Sequence, residues 1–339
     1  MSLRIFSGIQ PTGRKHLGNY IGAITQYVAG QNRGEAIYCI VDLHALTVPF
    51  DPVDLRARTY DTLAILLAAG VDPDRCVLFR QSDVQEHAEL TWLLSSVTSY
   101  GDLGRMTQFK EKSGAQRELV SAGLFFYPVL MAADVLAYRA QEVPVGDDQR
   151  QHVELMREIA RSFNARFGEG ILVVPDHRIP TIGARIMDLQ DPTSKMSTTS
   201  GSEEGTIYVL EEPALIERKL RRAVTDSGSE IRRDPDKPGV TNLIDILAAT
   251  RGVDHDQVER DLAQARGYGD LKAAVAEAVI ARLTPVRERY AELRADEAAL
   301  EATLASGAER ARAVAASTLA DVRQVMGVGP SGAPATVIQ

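Results

Sequence analysis

The chain has 339 residues, of which 45% are hydrophobic and 25% charged, and a net charge of −8. That balance is ordinary for a water-soluble globular protein, and the negative net charge argues against a general nucleic-acid coat, which needs clustered Lys and Arg, while leaving room for a local basic surface. Cys39 and Cys76 are the only cysteines, too few for a disulfide framework or a Cys-based zinc cluster, so a reducing compartment is expected.

In chain order, Met1-Ser2-Leu3-Arg4 leads straight into strand-like sequence, so no cleavable leader is expected. No apolar run is long enough to span a bilayer, which predicts a cytoplasmic protein. Strand candidates are residues 4–7, 36–41, 76–80, 142–145 and 171–174, short runs rich in β-branched and aromatic residues. Helical stretches lie between them. The clearest, PVDLRARTYDTLAILLAA (residues 52–69), opens on Pro52, suited to a first turn, and stops at Gly70, suited to a C-terminal cap. This alternation predicts βαβ units: an α/β fold with a parallel sheet covered by helices. Ligands on such sheets bind at the carboxyl ends of strands. SGIQPTG, VDLHALT and VPVGDDQ all fall at strand ends, which gathers three polar loops on one rim.

The character changes near Asp191. DPTSKMSTTSGSEEG (residues 191–205) is small, polar and glycine-bearing, which predicts a mobile loop. Beyond it, residues 214–224, 242–249, 271–283 and 308–326 carry apolar residues at helical spacing. Pro285 is expected to interrupt or kink its helix. The domains expected are an α/β domain over residues 1–192, the loop and an all-helical domain over 193–327, and a frayed tail over 328–339. No internal repeat is visible.

The stretch SGIQPTGRKHLGNYIG (residues 7–22) joins a strand to a helix through a glycine-rich turn. Gly8 and Gly13 match the first part of a P-loop, but Arg14 and Lys15 stand where Lys and Ser/Thr belong. The magnesium-binding hydroxyl is therefore missing, and Pro11 removes an N–H from the turn. The P-loop reading fails. His16-Leu17-Gly18-Asn19 opens the helix instead, where unpaired N–H groups favour anions. His16 and Asn19 suit phosphate oxygens, and they equally suit a simple helix cap.

Far downstream, KMSTT occupies residues 195–199. Together, HLGN and KMSTT resemble the HIGH and KMSKS motifs of class I aminoacyl-tRNA synthetases. GIQPTG, VDLHALTV, MTQFKEKS, YPVLMAADVLAY, VPVGDDQRQH, GARIMDLQDPTSKMS and AVTDSGSEIR stand in the order and spacing of the bacterial tryptophanyl-tRNA synthetases. The resemblance runs from Leu3 to about Gly327. It implies a Rossmann-like catalytic domain with a helical anticodon-binding domain behind it. It also implies a homodimer acting on L-tryptophan, ATP and tRNA(Trp), with no role for DNA or a membrane. Tryptophan and ATP would give tryptophanyl-adenylate and pyrophosphate, and the amino acid would then pass to the tRNA 3′ end. Magnesium would arrive with ATP, and no protein-held metal is expected.

The implied chemistry is in-line attack on the α-phosphorus by a carboxylate that is already nucleophilic, so no general base is required and positioning dominates. The absence of a Ser/His/Asp or Cys/His arrangement fits that demand. By resemblance Lys195 meets the departing pyrophosphate, with Lys112 and His16 as further catalytic groups. ATP is expected along Gln10, Pro11, Thr12, Gly18 and Asn19, with Gly146, Asp147 and Asp148 at the ribose. Ile186 and Met196 would flank adenine, and Lys195, Ser197, Thr198 and Thr199 complete the loop. Asp147 and Asp148 also suit a helix N-terminus. Thr198 departs from the family's second motif lysine, and Lys112, Lys15 or Arg14 would have to supply that charge.

Tryptophan selection is expected to rest on Asp134, because indole offers one polar handle and it only donates. Phe6, Gly8, His44, Met131, Val143, Val145 and Gln149 match the rest of the family's amino-acid pocket, although Met131 and the valines read equally as core. A tyrosine-specific relative is the nearest alternative, and the MAAD, GDDQ and GIQPTG segments argue against it. Arg218–Arg233 and the Arg310–Arg323 helix are the candidate tRNA-facing surfaces.

Overall fold

The apolar runs of the first half become one sheet. In a computed structural model that describes residues 3–107, 121–146, 149–178, 185–198 and 201–330, strands β1 (Arg4–Ile9), β2 (Glu35–Ile40), β3 (Cys76–Arg80), β4 (Glu142–Pro144) and β5 (Asp176–Arg178) pair in parallel in the order β3-β2-β1-β4-β5. Side chains alternate across it: Ala36, Tyr38 and Ile40 enter the core on one face, Ile37 and Cys39 the core on the other. Burial on both faces is why EAIYCI is an almost continuous apolar run. From β1 the chain steps outward to β2 and β3 on one side, and β4 and β5 lie on the other. The carboxyl ends of β1 and β4 therefore flank the topological switch point.

The covering helices follow the sequence closely. Helix α1 covers residues 17–30 and contains a π-helical turn at Tyr20–Ile24 between Leu17–Asn19 and Thr25–Gly30. Next come α2 (Asp42–Ala45), α3 (Pro52–Ala68), α4 (Glu86–Ser95), α5 (Tyr100–Arg105), α6 (Ala122–Leu136) and α7 (Arg150–Phe167). Helix α3 starts where expected, with Asp51 accepting from the N–H groups of Val53 at 2.9 Å and Asp54 at 2.8 Å. Beyond the loop lie α8 (Pro213–Arg221), α9 (Pro238–Arg251), α10 (His255–Asp261), α11 (Tyr268–Arg294) and α12 (Glu297–Met326). The molecule is thus a Rossmann-like α/β fold followed by a helical C-terminal region.

One expectation is corrected, and one half of another. The fifth strand is Asp176–Arg178, not residues 171–174. Asn164 claims both backbone groups of Leu172, donating to its carbonyl at 2.8 Å and accepting from its N–H at 2.9 Å, so that apolar segment is a packed turn. Pro285 does not interrupt its helix, because α11 runs through it from Tyr268 to Arg294. Val279, Leu283 and Val286 are buried on either side, and that burial holds the helix across the missing hydrogen bond.

The last helix returns to the sheet. α12 packs along the edge strand β3, and a Cβ added at Gly307 would lie 1.8 Å from the Leu78 carbonyl oxygen. Only glycine permits that approach. Arg310 donates to the carbonyls of Pro73 (2.8 Å) and Cys76 (3.1 Å), and Arg312 to that of Asp83 (2.5 Å), so the helix covers the edge and binds carbonyls at and beside both ends of the strand. No described helix is long and apolar enough to cross a membrane.

Candidate active site

A cavity of about 300 Å³ opens at the switch point, at the lower end of the range for small-molecule sites. All eight expected amino-acid-pocket residues line it: Phe6 and Gly8 from β1, His44 from α2, Met131 and Asp134 from α6, Val143 and Val145 from β4 and the residue after it, and Gln149 before α7. Gln10 and Gly146 of the expected nucleotide set line it too. Tyr127 also lines it, and the sequence reading missed it. It stands one turn before Met131 and two before Asp134, so the i, i+4, i+7 spacing carried the signal. Its hydroxyl lies 2.7 Å from His152 Nε2.

Asp134 is 2% exposed and bonded to neighbours through both oxygens. Its Oδ2 lies 2.7 Å from His44 Nε2; its Oδ1 accepts from Gln81 Nε2 at 2.6 Å and lies 2.5 Å from His87 Nδ1. Burial alone would push this carboxyl up. The positive field of His44 and the hydrogen bonds from His44 and His87 outweigh burial and hold it well below the usual carboxylate range. An ionised acceptor thus sits in an otherwise largely apolar wall.

The turn after β1 forms the second part of the site. Lys15 is buried, and its ammonium donates to the carbonyls of Gln10 (2.6 Å) and Thr12 (3.3 Å). Desolvation, with a contribution from Arg58, lowers its pKa to about 8. Arg14 lies 3.5 Å above the Tyr208 ring and pairs with Glu203 at 3.1 Å. Lys15 thus ties its own turn together, and Arg14 is stacked on a later segment while remaining half exposed. The third candidate, Lys112, lies outside the described residues, as do Asp147, Asp148 and Thr199.

His16 and Asn19 do act as a cap, since the His16 backbone N–H donates to Asn19 Oδ1 at 3.1 Å. A Cβ on Gly18 would come 3.0 Å from the His16 ring. Burial, then the charges of Lys195 and Lys15, lower the His16 pKa to about 4, so the imidazole is neutral at pH 7. That coupling to Lys195 joins the two sequence motifs across nearly 180 residues. Lys195 pairs with Met187 in an isolated antiparallel bridge, and the Met196 N–H donates to the Ile186 carbonyl at 3.0 Å. Ile186 and Met196 are both buried beside the turn. Gly13 has φ +63°, and a Cβ there would come 2.8 Å from Thr198 Oγ1, so the loop tip rests on the turn where only glycine is comfortable.

Residues 206–209 (TIYV) complete the arrangement, and the sequence reading gave them no role. Leu17 donates to the Ile207 carbonyl (2.8 Å) and Val209 to that of Lys15 (2.9 Å), a strand-like clamp on the first motif. The β-branched run after a polar loop was its signal. Lys219 lies inside the stretch read as a basic surface, yet it is 1% exposed. It donates to Glu211 Oε1 (2.5 Å) and the Thr206 carbonyl (2.7 Å), and Thr206 Oγ1 donates to the Ser197 carbonyl (3.3 Å). The other candidate surface is partly spent as well, since Arg310 and Arg312 face β3. Among the described residues no group of three or more His, Cys, Asp or Glu side chains is arranged to hold a metal ion.

Comparison with known proteins gives these features a context. Residues 1–284 match the family model described as tRNA synthetases class I (W and Y). The chain is 48% identical over 326 residues to the tryptophan–tRNA ligase of Caldanaerobacter subterraneus subsp. tengcongensis, covering 96% of this chain and 98% of that one. Its fold is similar to the crystal structure of tryptophanyl-tRNA synthetase from Mycoplasma pneumoniae, with a TM-score of 0.90 at 35% identity, covering 97% and 99% of the two chains. The Campylobacter jejuni tryptophanyl-tRNA synthetase complexed with ADP and tryptophan is similar at a TM-score of 0.81 and 33% identity, covering 96% and 100%.

Proposed function

This chain belongs to the class I tRNA synthetases of the W and Y family, and we propose that it is the ATP-dependent ligase joining tryptophan to tRNA(Trp). The carrying observation is a cavity at the sheet's switch point with a buried, ionised Asp134 in its wall, beside two loops that bring His16 and Lys195 together. Asp134 accepts the indole N–H, while Phe6, Gly8, His44, Met131, Val143 and Val145 enclose the ring and Gln149 lies on the carboxylate side. Gln10, Pro11, Thr12, Gly18 and Asn19 follow the nucleotide, and Gly146, Asp147 and Asp148 meet its ribose. Ile186, Met196, Ser197, Thr198 and Thr199 close over it.

The tryptophan carboxylate attacks the α-phosphorus in line and pyrophosphate leaves. Lys195 and Lys112 stabilise the departing charge, with magnesium carried in by ATP. Neutral His16 contributes a single N–H, so the lysines carry the charge. The tRNA 3′ hydroxyl then takes the activated acyl group and AMP departs. The helical region reads the anticodon, and the reaction assigns the protein to the cytoplasm. Pyrophosphate exchange tests the reading: tryptophan supports exchange and tyrosine does not. Exchange with tyrosine alone, or with neither amino acid, overturns it.

A homodimer is part of the proposal. Leu46, Phe50, Val53, Trp92 and Tyr100 are large apolar residues left exposed, with Trp92 74% and Tyr100 79% exposed. Light scattering should give twice the chain mass, and Trp92→Glu should return the monomer.

A further inference from the structure

Gln81 and His87 are outside the cavity wall, yet both bind the carboxylate that is in it. They reach Asp134 from β3's carboxyl end and from α4, and both bind the same oxygen, Oδ1. Each is pinned from behind. Gln81 Oε1 accepts the Leu43 backbone N–H at 3.1 Å, which turns its NH₂ toward Asp134. His87 is fully buried and its Nε2 lies 2.7 Å from the hydroxyl of Tyr138, itself fully buried. A carboxylate has about four lone-pair sites. Two on Oδ1 are taken by Gln81 and His87, and His44 takes one on Oδ2.

We propose that Gln81 and His87, with Tyr138 behind His87, are positioning residues for amino-acid selection: they saturate Asp134 Oδ1 and leave one acceptor, on Oδ2, for the ring N–H. The inference rests on the reading of Asp134 as the indole acceptor. Without these donors Oδ1 would have idle lone pairs inside the wall. The carboxylate could then rotate or draw in water, and the acceptor would no longer stand at one point. Selection for a ring N–H depends on that point, because an analogue lacking the N–H must leave a single, fixed acceptor unpaired.

The test compares kcat/KM in pyrophosphate exchange for tryptophan and for β-(benzothiophen-3-yl)alanine, which has sulfur in place of the N–H. Gln81→Leu and His87→Leu should each lower the preference for tryptophan about tenfold, through KM for tryptophan, with kcat within about threefold of the parent. His87→Asn, whose amide reaches the Nδ1 position, should restore most of the preference. Equal losses for both amino acids in the two leucine variants would overturn the proposal. If those variants do not fold, Gln81→Met and Tyr138→Phe carry the comparison, and an unchanged preference in both is equally fatal. The underlying reading fails separately: its failure would show in the parent protein, as no exchange with tryptophan or no preference over the sulfur analogue.

Discussion

The two halves of the site are built on different principles. The wall around Asp134 is buried, and its polar groups are bonded to one another through side chains from β3, α2, α4 and α6. The nucleotide side is assembled from segments far apart in the chain. Its links are backbone bridges at residues 15–17 with 207–209, a glycine under Thr198, and an exposed Arg14–Tyr208–Glu203 contact. Exposed pairs of that kind contribute about 1 kcal/mol or less. Under the proposed function the contrast is a division of labour: recognition would use a prebuilt wall whose ordering cost is met during folding, whereas charge stabilisation would use loops that accept and release a large anion.

Breaking the wall should have the largest effect. Asp134→Ala removes the acceptor and strands three donors; selection for tryptophan over the sulfur analogue should fall by roughly 10⁴-fold in the exchange assay, and the urea midpoint should report a loss of about 3–5 kcal/mol. On the loop side, Lys195→Ala should cut kcat for exchange by about 10²–10³-fold with an unchanged melting temperature. Both function and stability failing together at Lys195 would erase the distinction.

A third variant separates scaffold from site. Gly307→Ala forces a methyl against the Leu78 carbonyl, so calorimetry should show a loss of about 2–3 kcal/mol while KM for tryptophan and ATP stays put. The smallest effect comes from His16. Its native pKa of about 4 lies below the unfolded value, so between those two pH values only the unfolded chain binds the proton. Stability therefore falls as pH drops through that window and is insensitive to this group above it. Urea midpoints at pH 7 and pH 5 should differ by about 1–2 kcal/mol more in the parent than in His16→Asn.

Much of this was legible because its causes are local. Strands β1 to β4 announce themselves as apolar runs, α3 by Asp51-Pro52 and Gly70, and the failed P-loop by Arg14 and Lys15. The eight expected residues that line the cavity came from motif resemblance, while Tyr127 was there to be found by helical spacing alone. β5 was misplaced because Asn164, eight residues back, decides what Leu172 bonds to. At Pro285 the helix runs on, because burial on either side counts against the lost hydrogen bond.

The amino-acid sequence by itself determined the α/β alternation and the failure of the P-loop pattern, since periodicity and turn residues are properties of short stretches. Only the tertiary structure decided that Lys219 is buried against Glu211 and that Lys15 bonds the carbonyls of its own turn. It alone decided that α12 closes the β3 edge through Gly307, and that Gln81 and His87 stand behind Asp134. Those outcomes depend on which donors and acceptors meet once distant segments are packed, and hydrogen bonds are too short-ranged to leave a trace in spacing along the chain.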